Sequence, residues 1–177
     1  MSAAGSLADV LAGAVTVEGP DASGVLDVAA RDWRPAVAAA RDAGAAWFDL
    51  LTAYDDADAG FAVLVRLARE GADAVLLRTR VPRTAPDLDS VADLYPGAAW
   101  HEREVHEMFG VGFAGHEGMR PLLLRAGAPA HPLRKETPLR ARVEATWPGA
   151  VDPGGRAPRR RSLPPGVAAA WVDGADR

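Results

Sequence analysis

Three closely spaced apolar segments in the middle of the chain constrain its fold more than any other feature. They cover residues 46–54, 61–67 and 74–80, and they are separated by the acidic turn 55–60 and by a short stretch containing Gly71. Joints of this length connect antiparallel neighbours, because a parallel crossover needs a dozen or more residues. The spacing therefore predicts hairpins within an antiparallel or mixed sheet.

Two helices and two shorter strands are expected before this group. Ser6, with an acidic residue three positions later, is a weak signal for the start of the first helix. Residues 15–18 and 25–29 are typical of strands joined by a turn, and Asp32 is expected to cap a second helix that Gly44 ends. The resulting order predicts a two-layer α+β domain, with the helices on one face of a mostly antiparallel or mixed sheet.

The last part of the chain has a different composition. Helical periodicity returns over residues 91–110, but residues 147–166 contain five prolines and four glycines. A segment of this kind cannot build a core of its own. We therefore expect an α+β domain over residues 1–140 and an extended, Pro/Gly/Arg-rich, partner-binding tail over residues 141–177.

Composition excludes several classes of function. Cysteine is absent, so disulfides, thiolate nucleophiles and thiolate-ligated iron–sulfur clusters are not expected on this chain. No apolar run approaches the ~20 residues that cross a bilayer, and no basic segment precedes an apolar stretch at the start. The expected location is the cytoplasm, with peripheral membrane contact at most.

Charge is distributed unevenly along the chain. Residues 1–124 contain 10 Arg against 19 Asp and Glu, a net charge of −9, whereas residues 125–161 contain 9 Arg and Lys against 3 acidic residues, a net charge of +6. An acidic body followed by a basic segment predicts that this segment contacts an anionic surface. Because no aromatic residue is interleaved with Arg156 and Arg159–Arg161 and the body is acidic, a protein partner is favoured over nucleic acid.

Patterns that suggest catalytic or ligand sites fail on their spacing. His101 and His106 are five residues apart, which turns the second histidine of a helix away from a shared metal ion. Residues 110–115 spell a dinucleotide fingerprint, but a helix precedes them where a strand is needed, so a glycine-rich turn that carries Phe113 inward is expected instead. We therefore predict no catalytic, cofactor-binding or metal-binding residue. His116 stays open between a structural bond to a backbone carbonyl and a protonatable contact at a subunit boundary.

Residues 100–123 carry the most specific pattern. A Glu-Arg-Glu triplet is followed at fixed distances by an acidic residue, two apolar residues, a histidine, a basic residue and an apolar pair. These positions are filled by Glu102, Arg103, Glu104, Glu107, Met108, Phe109, His116, Arg120, Leu122 and Leu123. Together with Pro132–Lys135, the pattern resembles the respiratory complex I 30 kDa subunit family, the C subunits of NADH-quinone oxidoreductases. His106 in place of an aromatic residue and Glu107 in place of Asp are the departures from it.

The resemblance implies a function in an assembly. A member would be a non-catalytic peripheral-arm subunit of a proton-translocating NADH:quinone oxidoreductase, on the cytoplasmic side of the cell membrane. Its partners would be the large quinone-site subunit (the 49 kDa-type D subunit) and the iron–sulfur subunits, while NADH, FMN, iron–sulfur clusters and quinone bind to other subunits. The predicted partner-docking residues are Glu102, Arg103, Glu104, Glu107, His116, Arg120, Arg134 and Lys135.

The signature segment also carries local expectations. As a helix it places Val105, Met108 and Phe109 on one apolar face, and Trp100 is expected to reach the same core. Arg103 and Glu107 are expected to pair at i,i+4, which contributes only about 0.3–0.5 kcal/mol when exposed. The alternative to a docking edge is a solvated charged helix.

Three other functions remain open from the sequence. The same module resembles a component of membrane-bound hydrogenase complexes, which neighbouring genes would discriminate. An independent soluble enzyme would show turnover by the purified chain. A nucleic-acid-binding module would show salt-sensitive retention of nucleic acid.

Overall fold

The structure is a computed structural model, and it describes residues 6–71 and 73–138. The described residues form three α-helices and seven β-strands. The helices are α1 (Leu7–Ala14), α2 (Trp33–Asp42) and α3 (Ala98–Phe109). The strands are β1 (Val17–Glu18), β2 (Val25–Val28), β3 (Trp47–Asp55), β4 (Phe61–Ala68), β5 (Ala74–Val81), β6 (Asp87–Asp89) and β7 (Gly112–Ala114). The tail predicted over residues 141–177 lies outside the described residues.

A five-stranded mixed sheet organises this part of the chain. Its strand order is β1-β2-β5-β4-β3, and every neighbouring pair is antiparallel except β2 and β5. The chain leaves β2 through α2 and the β3–β4 hairpin before it returns in β5, and this long crossover permits the parallel pairing. The α+β class and the mixed sheet predicted from the sequence are confirmed.

The core lies between the sheet and the helices, and Val105 and Phe109 of α3 belong to the same buried cluster as residues of α1 and α2. Alternate residues of β4, from Phe61 to Leu67, are completely buried on this face, and Trp33 and Val37 of α2 meet them without any exposed surface. Ser6 caps α1 as predicted: its hydroxyl accepts from the N–H of Asp9 at 3.2 Å, and its own N–H donates to the Asp9 carboxylate at 3.0 Å. This reciprocal pair satisfies two backbone donors at the start of the helix.

The capping role predicted for Asp32 is wrong. Its backbone has φ −97° and ψ −2°, at the end of a 3₁₀ turn over Ala30–Asp32, and its side chain makes no capping hydrogen bond. A capping side chain reaches the first helical N–H groups from extended backbone, which Asp32 does not have.

Helix α3 begins later than the periodicity from residue 91 indicates. Residues 91–97 form turns, and Pro96 disfavours helical backbone in the residue before it. The helix then packs along β3, one of the two edge strands of the sheet, where the Nδ1 atom of His101 lies 3.0 Å from the carbonyl oxygen of Leu51. After α3, Phe113 is buried in β7 as expected, and β7 pairs in parallel with β6.

Candidate docking site

Glu102 is completely buried at the start of α3. One carboxylate oxygen accepts from the hydroxyl of Ser90 at 2.6 Å, and the other accepts from the N–H of Val91 at 2.7 Å. Burial raises the pKa of Glu102 above its usual value, although both hydrogen bonds act in the opposite direction. The side chain therefore joins α3 to the segment before it, and it has no exposed surface with which to contact a partner.

Glu107 binds three consecutive backbone N–H groups. Its carboxylate accepts from Leu122 at 3.1 Å, from Leu123 at 2.7 Å and from Leu124 at 3.1 Å. Burial raises the pKa of Glu107, but the three N–H groups outweigh burial and hold the pKa below its usual value. Glu107 therefore fastens residues 122–124 to α3.

Arg103 fastens the preceding residues of the same loop. Its Nε atom donates to the carbonyl of Arg120 at 3.0 Å, and Nη2 donates to the carbonyl of Pro121 at 2.8 Å. The guanidinium also lies 5.1 Å from the ring centroid of Trp100. The expected pairing of Arg103 with Glu107 is thus replaced by hydrogen bonds from both side chains to residues 120–124. The backbone of this loop offers carbonyl groups to the arginine and N–H groups to the carboxylate.

Trp100 does not reach the core as expected. Its side chain is 62% exposed and packs beside Arg103, whereas Val105 and Phe109 are buried and Met108 is half-buried as predicted. A position in the first turn of α3 thus directs Trp100 to the surface instead of the sheet.

Arg134 holds residues 131–136 against the end of α3. Its Nε atom donates to the carbonyl of Phe109 at 2.7 Å, and its guanidinium lies 5.0 Å from the ring centroid of Phe61. Gly110 has φ +74°, and a Cβ atom there would collide with Arg134 and with the ring of His131. Only glycine provides both this left-handed backbone and this space.

A network of charged side chains lies next to the contact between Arg134 and Phe61, and the sequence does not reveal it. Arg83 pairs with Asp55 and, at 3.0 Å, with Glu136, and its guanidinium lies 4.9 Å from the ring centroid of Phe61. Asp55 also accepts from the backbone N–H of Lys135 at 2.8 Å. Burial raises the pKa of Asp55, but Arg83 and the backbone donors together lower it below its usual value. The acidic turn 55–60 and the Pro132–Lys135 motif are the sequence signals that pointed to this region.

The remaining predicted docking residues divide between the interior and the surface. His116 lies with Nε2 3.1 Å from the carbonyl oxygen of Ala99, while its buried Nδ1 has no partner. This is the structural alternative left open from the sequence. Glu104, Arg120 and the side chain of Lys135 are exposed. The docking role itself stays a prediction for each of these residues.

We call the exposed side chains held by these bonds the signature surface. Three of them are large and apolar: Trp100 is 62% exposed, Leu123 61% and Leu133 50%. Their backbone positions are fixed, since Leu123 donates to Glu107 and Leu133 donates to the carbonyl of Met108 at 3.2 Å. The signature surface comprises Trp100, Glu104, Arg120, Leu123, Leu133 and Lys135.

Two further properties concern membranes and metals. None of the helices in the described part of the chain is long and apolar enough to cross a bilayer. Among residues 6–71 and 73–138, no group of three or more His, Asp or Glu side chains is placed to hold a metal ion.

Comparison with known proteins identifies the family. The sequence matches the family described as "Respiratory-chain NADH dehydrogenase, 30 Kd subunit" over residues 26–143. The chain belongs to this family. The resemblance inferred from residues 100–123 is thereby confirmed.

Individual members of the 30 Kd subunit family match a shorter region. The C subunit of NADH-quinone oxidoreductase from Bartonella bacilliformis is 45% identical over 74 residues, which are 40% of this chain and 36% of that protein. The C/D subunit of the same oxidoreductase from Methylococcus capsulatus is 46% identical over 67 residues, 38% of this chain and 11% of that protein. The chain thus covers 36% of the Bartonella relative and 11% of the Methylococcus relative.

Two solved structures share the fold. A trypsin-resistant fragment of Nqo5 superposes with a TM-score of 0.53 and 25% identity, covering 63% of this chain and 95% of the fragment. A chain of the membrane-bound sulfane sulfur reductase, an archaeal respiratory membrane complex, superposes with a TM-score of 0.63 and 25% identity, covering 76% of this chain and 85% of that one.

Proposed function

We propose that this 30 Kd family member is a non-catalytic peripheral-arm subunit of a proton-translocating NADH:quinone oxidoreductase, and that it docks on the large quinone-site subunit. It holds that subunit in register on the cytoplasmic side of the membrane, next to the iron–sulfur subunits. NADH, FMN, the iron–sulfur clusters and quinone bind elsewhere in the assembly, so this chain supports electron transfer without carrying it.

Relatives in which two subunits are joined support the choice of partner. The matching proteins from Methylococcus capsulatus, Gluconacetobacter diazotrophicus and Aquifex aeolicus are each named as a C/D subunit. Fusion raises the effective concentration of one module for the other, which favours modules that bind each other directly.

The observation that carries the proposal is the rigid exposure of apolar side chains on the signature surface. Trp100, Leu123 and Leu133 are at least half exposed although their backbones are bonded to α3. Aromatic and apolar side chains displayed on ordered backbone are typical of the centre of a protein interface, because little conformational entropy is lost when they are covered.

The structure separates two kinds of residue within the signature. Glu102, Arg103, Glu107 and Arg134 bond their own chain, so on this proposal they shape the docking surface. The exposed side chains of the signature surface then make the contacts, with Arg120 and Lys135 supplying positive charge towards the partner.

The experiment is co-expression of the tagged full chain with the large quinone-site subunit of the same organism, followed by measurement of their affinity. Trp100→Ala is expected to weaken binding about 30-fold, the effect of losing a tryptophan worth about 2 kcal/mol at an interface. The matched control is Trp47→Ala, because Trp47 is 68% exposed at the start of β3 and lies outside the signature surface. Equal affinities for wild type and Trp100→Ala would contradict this docking surface, and failure of the wild type to bind would contradict the proposed partner.

A second assembly has a specific observation in its favour. The sulfane sulfur reductase chain covers 76% of this chain with a TM-score of 0.63, so the fold also occurs in a respiratory membrane complex with another name and electron chemistry. Purification of the tagged chain from native membranes separates the two assignments. Subunits that bind NADH and FMN would support the first, and hydrogenase or sulfur-reductase subunits would support the second.

A further inference from the structure

A cavity of about 430 Å³ lies between α3 and residues 119–131. Its wall is largely apolar and includes Met119, Leu124, Ala128 and Pro129. The volume is within the ~300–1,000 Å³ of ordinary ligand pockets. The loop that forms the outer wall is held to α3 by the hydrogen bonds of Arg103 and Glu107.

The charge around this cavity is positive and unpaired. Of the arginines in the described residues, Arg41, Arg120 and Arg125 have no hydrogen-bond or ion-pair partner, and the last two line the cavity. Residues 118–135 contain three arginines and one lysine but no acidic residue. Glu107 also lines the cavity, but its carboxylate is engaged by three N–H groups. An occupant therefore gains by bringing its own carboxylates.

Two histidines of the cavity wall bond to backbone carbonyls of this chain. The Nδ1 atom of His106 lies 2.9 Å from the carbonyl oxygen of Val111, and Nδ1 of His131 lies 3.1 Å from that of Glu107. A carbonyl accepts, so each Nδ1 atom carries a proton and donates it to the backbone.

We propose that this cavity receives a short acidic segment of the docked large subunit. This inference rests on the proposed function above. One apolar side chain of the segment enters the cavity, and a neighbouring Asp or Glu lies between Arg120 and Arg125. Charge complementarity with these two arginines selects a segment of this chemistry.

The first test identifies the occupant by photo-crosslinking. A photoreactive benzoylphenylalanine replaces Leu124 in the full chain, the complex with the large subunit is irradiated, and the linked peptide is sequenced by mass spectrometry. The expected adduct is a large-subunit segment with an Asp or Glu within a few positions of the linked apolar residue. An adduct in a segment without acidic residues, in a second copy of this chain, or in no protein would overturn the inference.

The second test measures affinity with matched controls. Arg120→Glu with Arg125→Glu is expected to weaken binding at least tenfold and to flatten its dependence on salt, because both cations then repel the acidic segment. Arg41→Glu, which changes an exposed unpaired arginine on α2, is expected to have no such effect. Ala128→Trp fills the cavity and is expected to weaken binding similarly, whereas Ala8→Trp on the exposed side of α1 is its control.

The results separate this inference from the proposed function. If wild type binds the large subunit and the cavity variants bind equally well, the inference is overturned and the docking proposal stands. If wild type does not bind the large subunit, the docking proposal and this inference both fail. Unchanged thermal unfolding of each variant shows that a lost affinity is not a lost fold.

Discussion

Removal of the Glu107 carboxylate tests the role that the structure gives to the family signature. Three N–H groups donate to it over 2.7–3.1 Å. Hydrogen bonds to a charged group contribute about 1.5–3 kcal/mol when buried. Because residues 122–124 are partly exposed and water can replace the acceptor, we expect about 1 kcal/mol from each bond, or about 3 kcal/mol for local opening of the loop.

The assay is amide hydrogen exchange of residues 122–124, followed by NMR. A loss of about 3 kcal/mol corresponds to exchange about 100-fold faster at these amides in Glu107→Ala, since each 1.4 kcal/mol is a factor of ten. The control is Glu104→Ala, which removes an exposed carboxylate from the same helix. It is expected to leave exchange at residues 122–124 unchanged.

The pH dependence supplies a second readout. The folded pKa of Glu107 is lower than its usual value of 4.5. The stabilisation by its three hydrogen bonds is therefore fully present above pH 4.5 and is lost as the pH falls through the folded pKa. If residues 122–124 exchange equally fast in Glu107→Ala and in wild type at neutral pH, the Glu107 carboxylate does not hold this loop, and the reasoning is refuted.

Four other changes have defined outcomes. Gly110→Ala is expected to lower the free energy of unfolding by about 1–2 kcal/mol or more in denaturant titration, since its left-handed backbone costs that much before any collision; an unchanged value would contradict the geometry. Arg34→Ala is expected to move the pKa of Asp93, measured by NMR, from about 2 towards 3.8, because the Arg34 guanidinium binds that carboxylate. Burial raises the pKa of Glu102, so wild type is expected to lose stability relative to Glu102→Gln as the pH rises from 4.5 through the folded pKa, and parallel stability curves would refute this. Lys135→Glu changes an exposed side chain and is expected to reduce recovery of the large subunit in pull-downs while the melting temperature stays constant.

The fold was predictable where local pattern and tertiary packing agree. The alternation in β4 places Phe61 and Val65 on the buried face, and the short joints on either side of this strand leave only antiparallel neighbours. The reciprocal cap of Ser6 and Asp9 depends on residues three apart, so the sequence contains all of it.

The chemistry of the signature was not predictable from helical periodicity. The pattern gives the side of α3 on which Glu102 and Glu107 lie, but not that Val91 and Leu123 bring backbone donors to them from segments 11 and 16 residues away. Nor did the pattern give the exposure of Trp100, whose side chain lies beside the guanidinium of Arg103.

The most direct test of the account is purification of the tagged full chain from its native membranes, with native mass spectrometry of what accompanies it. We expect one copy of the large quinone-site subunit for each copy of this chain, and loss of NADH:quinone activity from membranes in which the chain is deleted. Recovery of the chain without that subunit, with the activity intact after deletion, would contradict it.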